Sequence, residues 1–389
     1  MKILVVYQHY YPEPFVISDI CEELENMGHE VHVVTSVPNY PKGDFYAGYS
    51  NHMDRDEMIN GVHVHRCFTI PRKHNPVFRV LNYYMFSLAS SKYINKLDDS
   101  FDVVFAYQTS PVMMSTAAVK YKKKYNKKLV MYSLDLWPES LMAGGIKRNG
   151  LIYNYYAKVS KRIYSSADIL LATSKSFLKY FSKMFGLNDV KYLPQYAENL
   201  FDKNACKKEP NGTIDLMFAG NIGKAQNLSV AIKAARELKD IKELKWHIVG
   251  DGSELDNIKK LAEGLDNIFF YGRQPIEKMP EFYKMADAML ITMTNDDVIS
   301  LTLPRKIQSY MASGKAIIGC ANGEIQKVIS EAKCGYCAKA DDYIELSEIV
   351  RRFVNENDKE IFGNNAYNYY KKHFKKTIVM NELENYLRN

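Results

Sequence analysis

The chain has little of what marks several protein classes. Its 389 residues hold six cysteines, scattered as Cys21, Cys67, Cys206, Cys320, Cys334 and Cys337. No disulfide framework or zinc spacing emerges, which points to a reducing cytoplasm. Cys334-Gly-Tyr-Cys337 is a lone C-x-x-C without a second pair, and it falls where a buried strand is expected. No apolar run approaches the roughly 20 residues that span a bilayer. The N-terminus reads as a strand, Lys2 to Tyr7, and not as a signal peptide. The signature of a nucleic-acid module is missing, as is the G-x-G-x-x-G of dinucleotide sites.

Enough remains for two cores. The hydrophobic fraction is 47%, and the length suits two domains better than one. Residues 1–199 carry 24 Lys and Arg against 18 Asp and Glu, while the rest is nearly balanced at 28 against 27. A basic first half can face an anionic membrane surface, an acidic substrate or nucleic acid. The densest basic run, Lys120 to Lys128, has six lysines in nine residues. It is a solvated face by default and a lipid contact in the sharper reading, with the aromatic helix 76–97 supplying apolar anchors. That helix is expected to present Phe78, Leu81, Met85 and Leu88 on one face.

Strands and helices alternate throughout. Residues 2–7, a helix carrying Ile17, Ile20, Cys21 and Leu24, and a strand at 29–35 make a βαβ unit and hence a parallel sheet. The turn-rich 37–43 follows at a carboxyl end, where open sheets place ligands. Asp54-Arg-Asp56 has the D-x-D form of some metal sites, but it precedes Asn60-Gly61 and reads as a surface hairpin. His63 and His65 alternate on the next strand. Asp135 and Glu139 lie beyond the strand 129–132, beside Trp137, and suit a group that orients a sugar hydroxyl or takes its proton; the plain alternative is a helix-capping aspartate and a surface glutamate. Residues 204–212 read as a linker. After it, strand 214–218, loop Gly220-Asn-Ile-Gly223 and a helix form a phosphate cradle in which Lys224 or Gln226 can reach oxygens. Gly250-Asp-Gly252 lacks a third glycine. The stretch 297–320 reads as a loop, a helix opened by Pro304 and carrying Ile307, Tyr310 and Met311, a stop at Gly314 and a buried strand. Arg305 and Lys306 bring two cations to its start. The fold class expected is α/β, with two doubly wound parallel-sheet domains.

The order and spacing of Gly28-His-Glu-Val31, Pro38-Asn-Tyr-Pro-Lys-Gly43, Asp135-Leu-Trp-Pro-Glu-Ser140, Gly220-Asn-Ile-Gly223 and Pro304-Arg-Lys306 through Tyr-Met-Ala-Ser-Gly-Lys315 resemble glycosyltransferase family 4, retaining enzymes of GT-B fold. The branch that looks nearest is the WbuB-like transferases of O-antigen and capsule assembly. The resemblance implies two Rossmann-like domains, an acceptor domain 1–200 and a donor domain 201–373, with a C-terminal helix at about 374–389 crossing back. It implies a UDP-sugar donor, such as a UDP-linked N-acetylfucosamine, and a polyprenyl-diphosphate-linked saccharide acceptor. It implies no metal or other cofactor. The basic first domain leads to an expected peripheral contact with the inner face of the cell membrane, and the missing module signature to no nucleic-acid partner.

Residue roles follow from the same resemblance. Donor contacts are expected at Asn221, Gly223, Lys224, Gln226, Gly272, Arg273, Ser300, Thr302, Leu303, Arg305, Lys306 and Gln308, with the diphosphate on the amides of Thr302 and Leu303 opposite Gly223. Acceptor contacts are expected at His9, Tyr11, Asn39, Gln108 and Trp137, and catalysis at Asp135, Glu139 and Lys224. Two glutamates usual in the family are here Ser300 and Gln308, the second of which keeps an amide for ribose hydroxyls. Asn221 and Gln226 replace an arginine and a lysine, and Phe15-Val16 replaces a glycine pair. Rival readings are a UDP-sugar 2-epimerase of the same fold and a non-catalytic nucleotide-sugar-binding partner.

Overall fold

The structure is a computed structural model that describes residues 1–73 and 75–389, with Ala143 through its backbone only. The chain divides into two compact units, residues 1–193 with 380–389, and 194–379. The division at Leu193/Pro194 falls ahead of the polar stretch 204–212, which lies inside the second unit. The last helix, Lys376–Arg388, starts in the second unit and from Met380 belongs to the first.

In the first unit, β1 (Lys2–Val6), β2 (Glu30–Ser36), β3 (Asp56–Ile59), β4 (Val62–Cys67), β5 (Val103–Gln108), β6 (Lys128–Ser133), β7 (Ile169–Ala172) and β8 (Val190–Tyr192) form one sheet in the order β3-β4-β2-β1-β5-β6-β7-β8. Every pairing is parallel except the β3–β4 hairpin. Asn60 and Gly61 turn that hairpin with φ of 48° and 87°, and Asp56 is held by His65 at 2.7 Å. β1, β5 and β6 are near-continuous buried runs, as expected of strands covered on both faces. Ile17, Ile20, Cys21 and Leu24 bury the inner face of helix Ile17–Asn26.

In the second unit, β9 (Ile214–Ala219), β10 (Leu244–Val249), β11 (Ile268–Gly272), β12 (Ala288–Thr292), β13 (Ala316–Cys320) and β14 (Gly335–Ala338) run in the order β11-β10-β9-β12-β13-β14, all parallel. This is the doubly wound order 3-2-1-4-5-6, whose direction reverses between the first and fourth strands. The reversal lies between β9 and β12, and in the first unit between β1 and β5. Only Leu216 with Ala288 and Met217 with Met289 pair across the second reversal. Further along, the buried Tyr310 hydroxyl takes the place of a strand partner, accepting from Ala219 N (3.2 Å) and donating to Ala219 O (3.0 Å). A crevice at the carboxyl ends follows from this geometry.

The glycines 250 and 252 are explained here. The loop after β9 lies against the loop after β10 through Gly220 N to Val249 O and Ile222 N to Asp251 O, both 2.9 Å. A Cβ at Gly250 would sit 1.8 Å from Gly220 O, and one at Gly252 2.4 Å from Ile222 O.

Helix Pro76–Ile94 corrects the expected face. Its buried residues are Asn82, Phe86, Ser90 and Ile94, whereas Leu81 and Leu88 are 44% and 66% exposed. The helix is apolar all round, so periodicity could not say which side packs. Asn82 turns inward because it has partners there, accepting from Gln8 (2.7 Å) and donating to Ile70 O (2.7 Å).

The Gly250→Ala variant is expected to lose more than about 3 kcal/mol in urea unfolding, while Gly144→Ala, with open space around its Cβ, stays within about 1 kcal/mol of wild type.

Candidate functional site

At the reversal of the second sheet, the loop after β9 closes on itself. The Gln226 side-chain oxygen Oε1 accepts from Asn221 Nδ2 (3.0 Å) and from Gly223 N (3.2 Å). These two expected donor ligands and the Gly223 amide are therefore engaged with one another. Lys224 stands exposed on the short turn Lys224–Gln226. Gly272 ends β11 at φ 66°, with the exposed Arg273 beside it.

The second wall is the segment 299–312. Helix Lys306–Ala312 begins two residues later than Pro304 at the first helical position would place it, and a tight turn Ile299–Leu301 precedes it. The Thr302 amide is spent in that turn on Ile299 O (3.0 Å), and Leu303 is a core residue. Ser300 bonds back to Asp297 O at 2.8 Å. Gln308 is fully buried, and its amide nitrogen lies against the carbonyls of Pro304 (3.2 Å) and Arg305 (2.9 Å). Here the glutamine expected at the ribose is folded onto its own helical turn. Arg305 forms an ion pair with Glu198, which also accepts from Ser309 Oγ at 3.2 Å.

Lys306 differs from every other cation of this wall. Its ammonium is buried and, among the described residues, has no hydrogen-bond partner. It stands 4.1 Å from the centre of the Phe218 ring, and a Cβ at Gly220 would come within 3.0 Å of it. Burial pulls its pKa down to about 7. The ring face below recovers part of the lost hydration, which keeps the ammonium form accessible at neutral pH. An unpaired buried cation beside a glycine loop is a counter-charge waiting for an anion.

In the first unit the reversal is flanked by the loops after β1 and β5, with the loop after β6 beyond. His9 Nδ1 lies 2.8 Å from Glu13 Oε2, and Glu13 Oε1 accepts from the amides of Asn39 (2.7 Å) and Tyr40 (2.5 Å). A carboxylate that already accepts from two amides takes the His9 contact as an acceptor, which fixes the ring by its Nδ1–H. Glu13 was not singled out from the sequence; its signal is a lone carboxylate between two prolines in a loop that opens on buried aromatics. Tyr11 is half exposed. Asn39 and Gln108, expected at the acceptor, are both fully buried with their polar atoms engaged. Asn39 donates to Val37 O (2.9 Å) and accepts from Arg72 N (3.2 Å). Gln108 accepts from Ser133 Oγ (2.7 Å) and Tyr164 OH (3.2 Å). Trp137 is 5% exposed and packs edge-on against Tyr156, a core position.

The two carboxylates of the third loop differ. Glu139 is buried, not the surface residue of the plain alternative. Its Oε1 accepts from Tyr153 OH (2.8 Å), Tyr180 OH (3.1 Å) and Arg148 Nη2 (3.1 Å), which ties two helices to the loop. Asp135 is half-buried, accepts from Ser110 Oγ and from Leu136 N (2.9 Å), and has its pKa raised by burial against those bonds. Away from this site, Glu30, His32 and His63 bring ligand atoms within 4.8 Å of one another. The His32 and His63 rings stack at 4.3 Å and Lys2 holds Glu30 at 3.1 Å.

Comparison with known proteins follows the same division. The family signature described as Glycosyltransferase Family 4 matches residues 15–194, and that described as Glycosyl transferases group 1 matches 201–369. WcaI of Escherichia coli K12, named as a colanic acid biosynthesis glycosyl transferase, is 26% identical over 345 residues, covering 82% of this chain and 83% of that protein. Among solved structures, sucrose-phosphate synthase of Thermosynechococcus elongatus superposes with a TM-score of 0.78 at 13% identity, over 100% of this chain and 98% of that one. HepE of Anabaena, solved in complex with UDP, gives 0.74 at 15% identity over 100% of both chains. Both sheets thus have the GT-B architecture.

Removing the Glu13 carboxylate strands two amides and the His9 ring, so Glu13→Ala is expected to lower stability by about 2–4 kcal/mol in urea unfolding, with Glu13→Gln intermediate.

Proposed function

The chain belongs to glycosyltransferase family 4, and from that premise we propose that it moves a sugar from a UDP-sugar to a lipid-linked saccharide during assembly of a surface polysaccharide. The observation that carries this reading is the buried, unpartnered Lys306 ammonium at the glycine loop. The donor diphosphate is the anion that answers it. Lys306 neutralises the charge that develops as the diphosphate leaves, and the exposed Lys224 adds a mobile second cation. HepE, with the same architecture, binds UDP, which supports a UDP leaving group here. WcaI's part in colanic acid synthesis supports a polysaccharide product.

Asp135 is the carboxylate we assign to orient the acceptor, since its raised proton affinity and its place beyond the carboxyl end of β6 suit a hydroxyl that gives up a proton. His9, its ring held by Glu13, is the second side chain of the first unit that we assign to the acceptor. Glu139 keeps the loop in shape without touching substrate. Transfer with retention, front-face attack and the leaving phosphate as proton acceptor are the mechanism this reading adopts, with no metal in it. The donor sugar is taken to be an N-acetylated deoxy-amino sugar.

Two measurements test the Lys306 assignment. Lys306→Met keeps the side-chain volume and removes a buried charge, so UDP affinity is expected to fall at least about tenfold while the melting temperature rises by about 3 °C or more. Unchanged UDP binding would remove the basis of the proposal. The pH dependence follows from the pKa near 7 in the free protein. Above that pH Lys306 is neutral and must take up a proton on binding, so calorimetric UDP affinity declines as pH rises from 7 to 9, and the decline is absent in Lys306→Met. Folding stability has the opposite slope: the unfolded chain holds the lysine proton up to about 10.5, so Lys306 costs stability most below pH 7 and less as pH rises toward that value.

A further inference from the structure

The first unit carries a bare apolar surface. On helix Pro76–Ile94, Val77, Val80, Leu81, Tyr84 and Leu88 are between 39% and 66% exposed. On helix Leu151–Tyr164, Leu151, Ile152 and Tyr155 are 92%, 54% and 60% exposed. The hydrogen bond between the Tyr84 and Tyr156 hydroxyls joins the two helices. Eight of the eleven large apolar side chains exposed among the described residues of this unit lie on these two helices. Scattered apolar residues need no explanation, but a contiguous set marks a docking face.

Charge says what docks. No Asp or Glu occurs between Glu57 and Asp98, nor between Glu139 and Asp168, and these two segments hold eleven Lys and Arg. The remainder of residues 1–199 has 13 Lys and Arg against 18 Asp and Glu, so the positive charge of the half resides in the two segments that present the apolar helices. Lys73, Arg79, Lys92, Lys147, Lys158 and Lys161 are exposed along them. The lysine run 120–128 is a poorer candidate. Lys120 and Lys124 donate to carbonyls of Ser91, Asn95 and Leu97, Lys122 pairs with Asp168, and Lys128 donates to Tyr386 O.

We propose that the paired faces of helices Pro76–Ile94 and Leu151–Tyr164 form the surface on which the protein sits at an anionic lipid bilayer, with the leucines, isoleucine and tyrosines in the headgroup boundary and the flanking cations on lipid phosphates. No helix among the described residues is long and apolar enough to cross a membrane, so the contact lies in the interface. This deepens the reading of a lipid-linked acceptor and rests on it for its purpose, though not for its geometry. A neutral surface or a protein partner would leave the absence of acids in both segments without a role.

The test is cosedimentation of the full chain with vesicles of phosphatidylcholine containing phosphatidylglycerol, against phosphatidylcholine alone, with UDP calorimetry on the same samples. Wild type binds the anionic vesicles, and the binding weakens as salt rises. The double variant Leu88→Glu with Leu151→Glu loses at least about tenfold in vesicle affinity and keeps wild-type UDP affinity, which shows that it is folded. Replacing Lys123 and Lys127 by alanine leaves vesicle binding within about twofold. Wild-type vesicle binding by the double variant overturns the proposal, as does absence of binding to anionic vesicles or concentration-dependent self-association that the same variant abolishes. Loss of UDP binding in wild type would instead count against the transfer reading and leave this surface standing.

Discussion

A primary ammonium enclosed over an aromatic ring, with no anion to answer it, is the costliest feature of the second unit, and the surroundings of the glycine loop are arranged around it. Gly220, whose missing Cβ would come within 3.0 Å of the ammonium, leaves Lys306 room beside the loop. Gly220 can hold its place only because Gly250 and Gly252 let the next loop approach to backbone contact. Tyr310, one helical turn on, parts β9 from β12 by bonding both polar groups of Ala219. A lysine left in this state opposes folding at neutral pH. Its retention makes sense where the native protein spends its working life with an anion bound, because ligand binding then returns what burial removes.

Carboxylates share the work of the first unit in two distinct ways. Glu13 and Glu139 are buried and collect several donors each, so their charge is spent on holding loops at the carboxyl ends of the strands. Asp135 is more exposed, accepts from Ser110, Ser140 and Leu136, and has its proton affinity raised by burial against those bonds. A partly exposed acid with a raised pKa is suited to exchanging a proton with a bound hydroxyl.

The parallel architecture was legible in the residues because strands covered on both faces must be apolar throughout, and β1, β5 and β6 read that way without ambiguity. Glycine loops and turns were legible for a similar reason: a positive φ at Gly61 or Gly272 leaves few residue choices. What could not be read was direction. Helix Pro76–Ile94 is apolar on every side, so its inner face is set by the partners of Asn82 and not by periodicity. The partners of the polar candidates were hidden in the same way. Asn39, Gln108 and Gln308 have the chemistry to bind sugar or ribose, and the sequence contains no sign that Val37, Ser133 and Pro304 already occupy them. Arg305 and Lys306 are adjacent and look equivalent, yet Glu198, more than one hundred residues away in sequence, claims the arginine and leaves the lysine alone.

The same limit explains why charge proved more informative when counted by absence. A lysine-rich run attracts notice, but lysines on a helix end find carbonyls and aspartates within reach, and four of the six between residues 120 and 128 do so. A long segment without any acid cannot neutralise itself locally, because no carboxylate exists within it to pair. Its cations must be answered by distant residues, by water or by an external anion. In the segments 58–97 and 140–167 distant answers are few, as with Glu57 on Arg66 and Glu139 on Arg148. Arg72 is held by Tyr83, and the exposed lysines and arginines that remain face solvent around bare leucine and tyrosine side chains. Apolar exposure alone would suit a protein partner, and positive charge alone would suit any polyanion. Only a surface that is anionic at its boundary and hydrocarbon beneath satisfies both together.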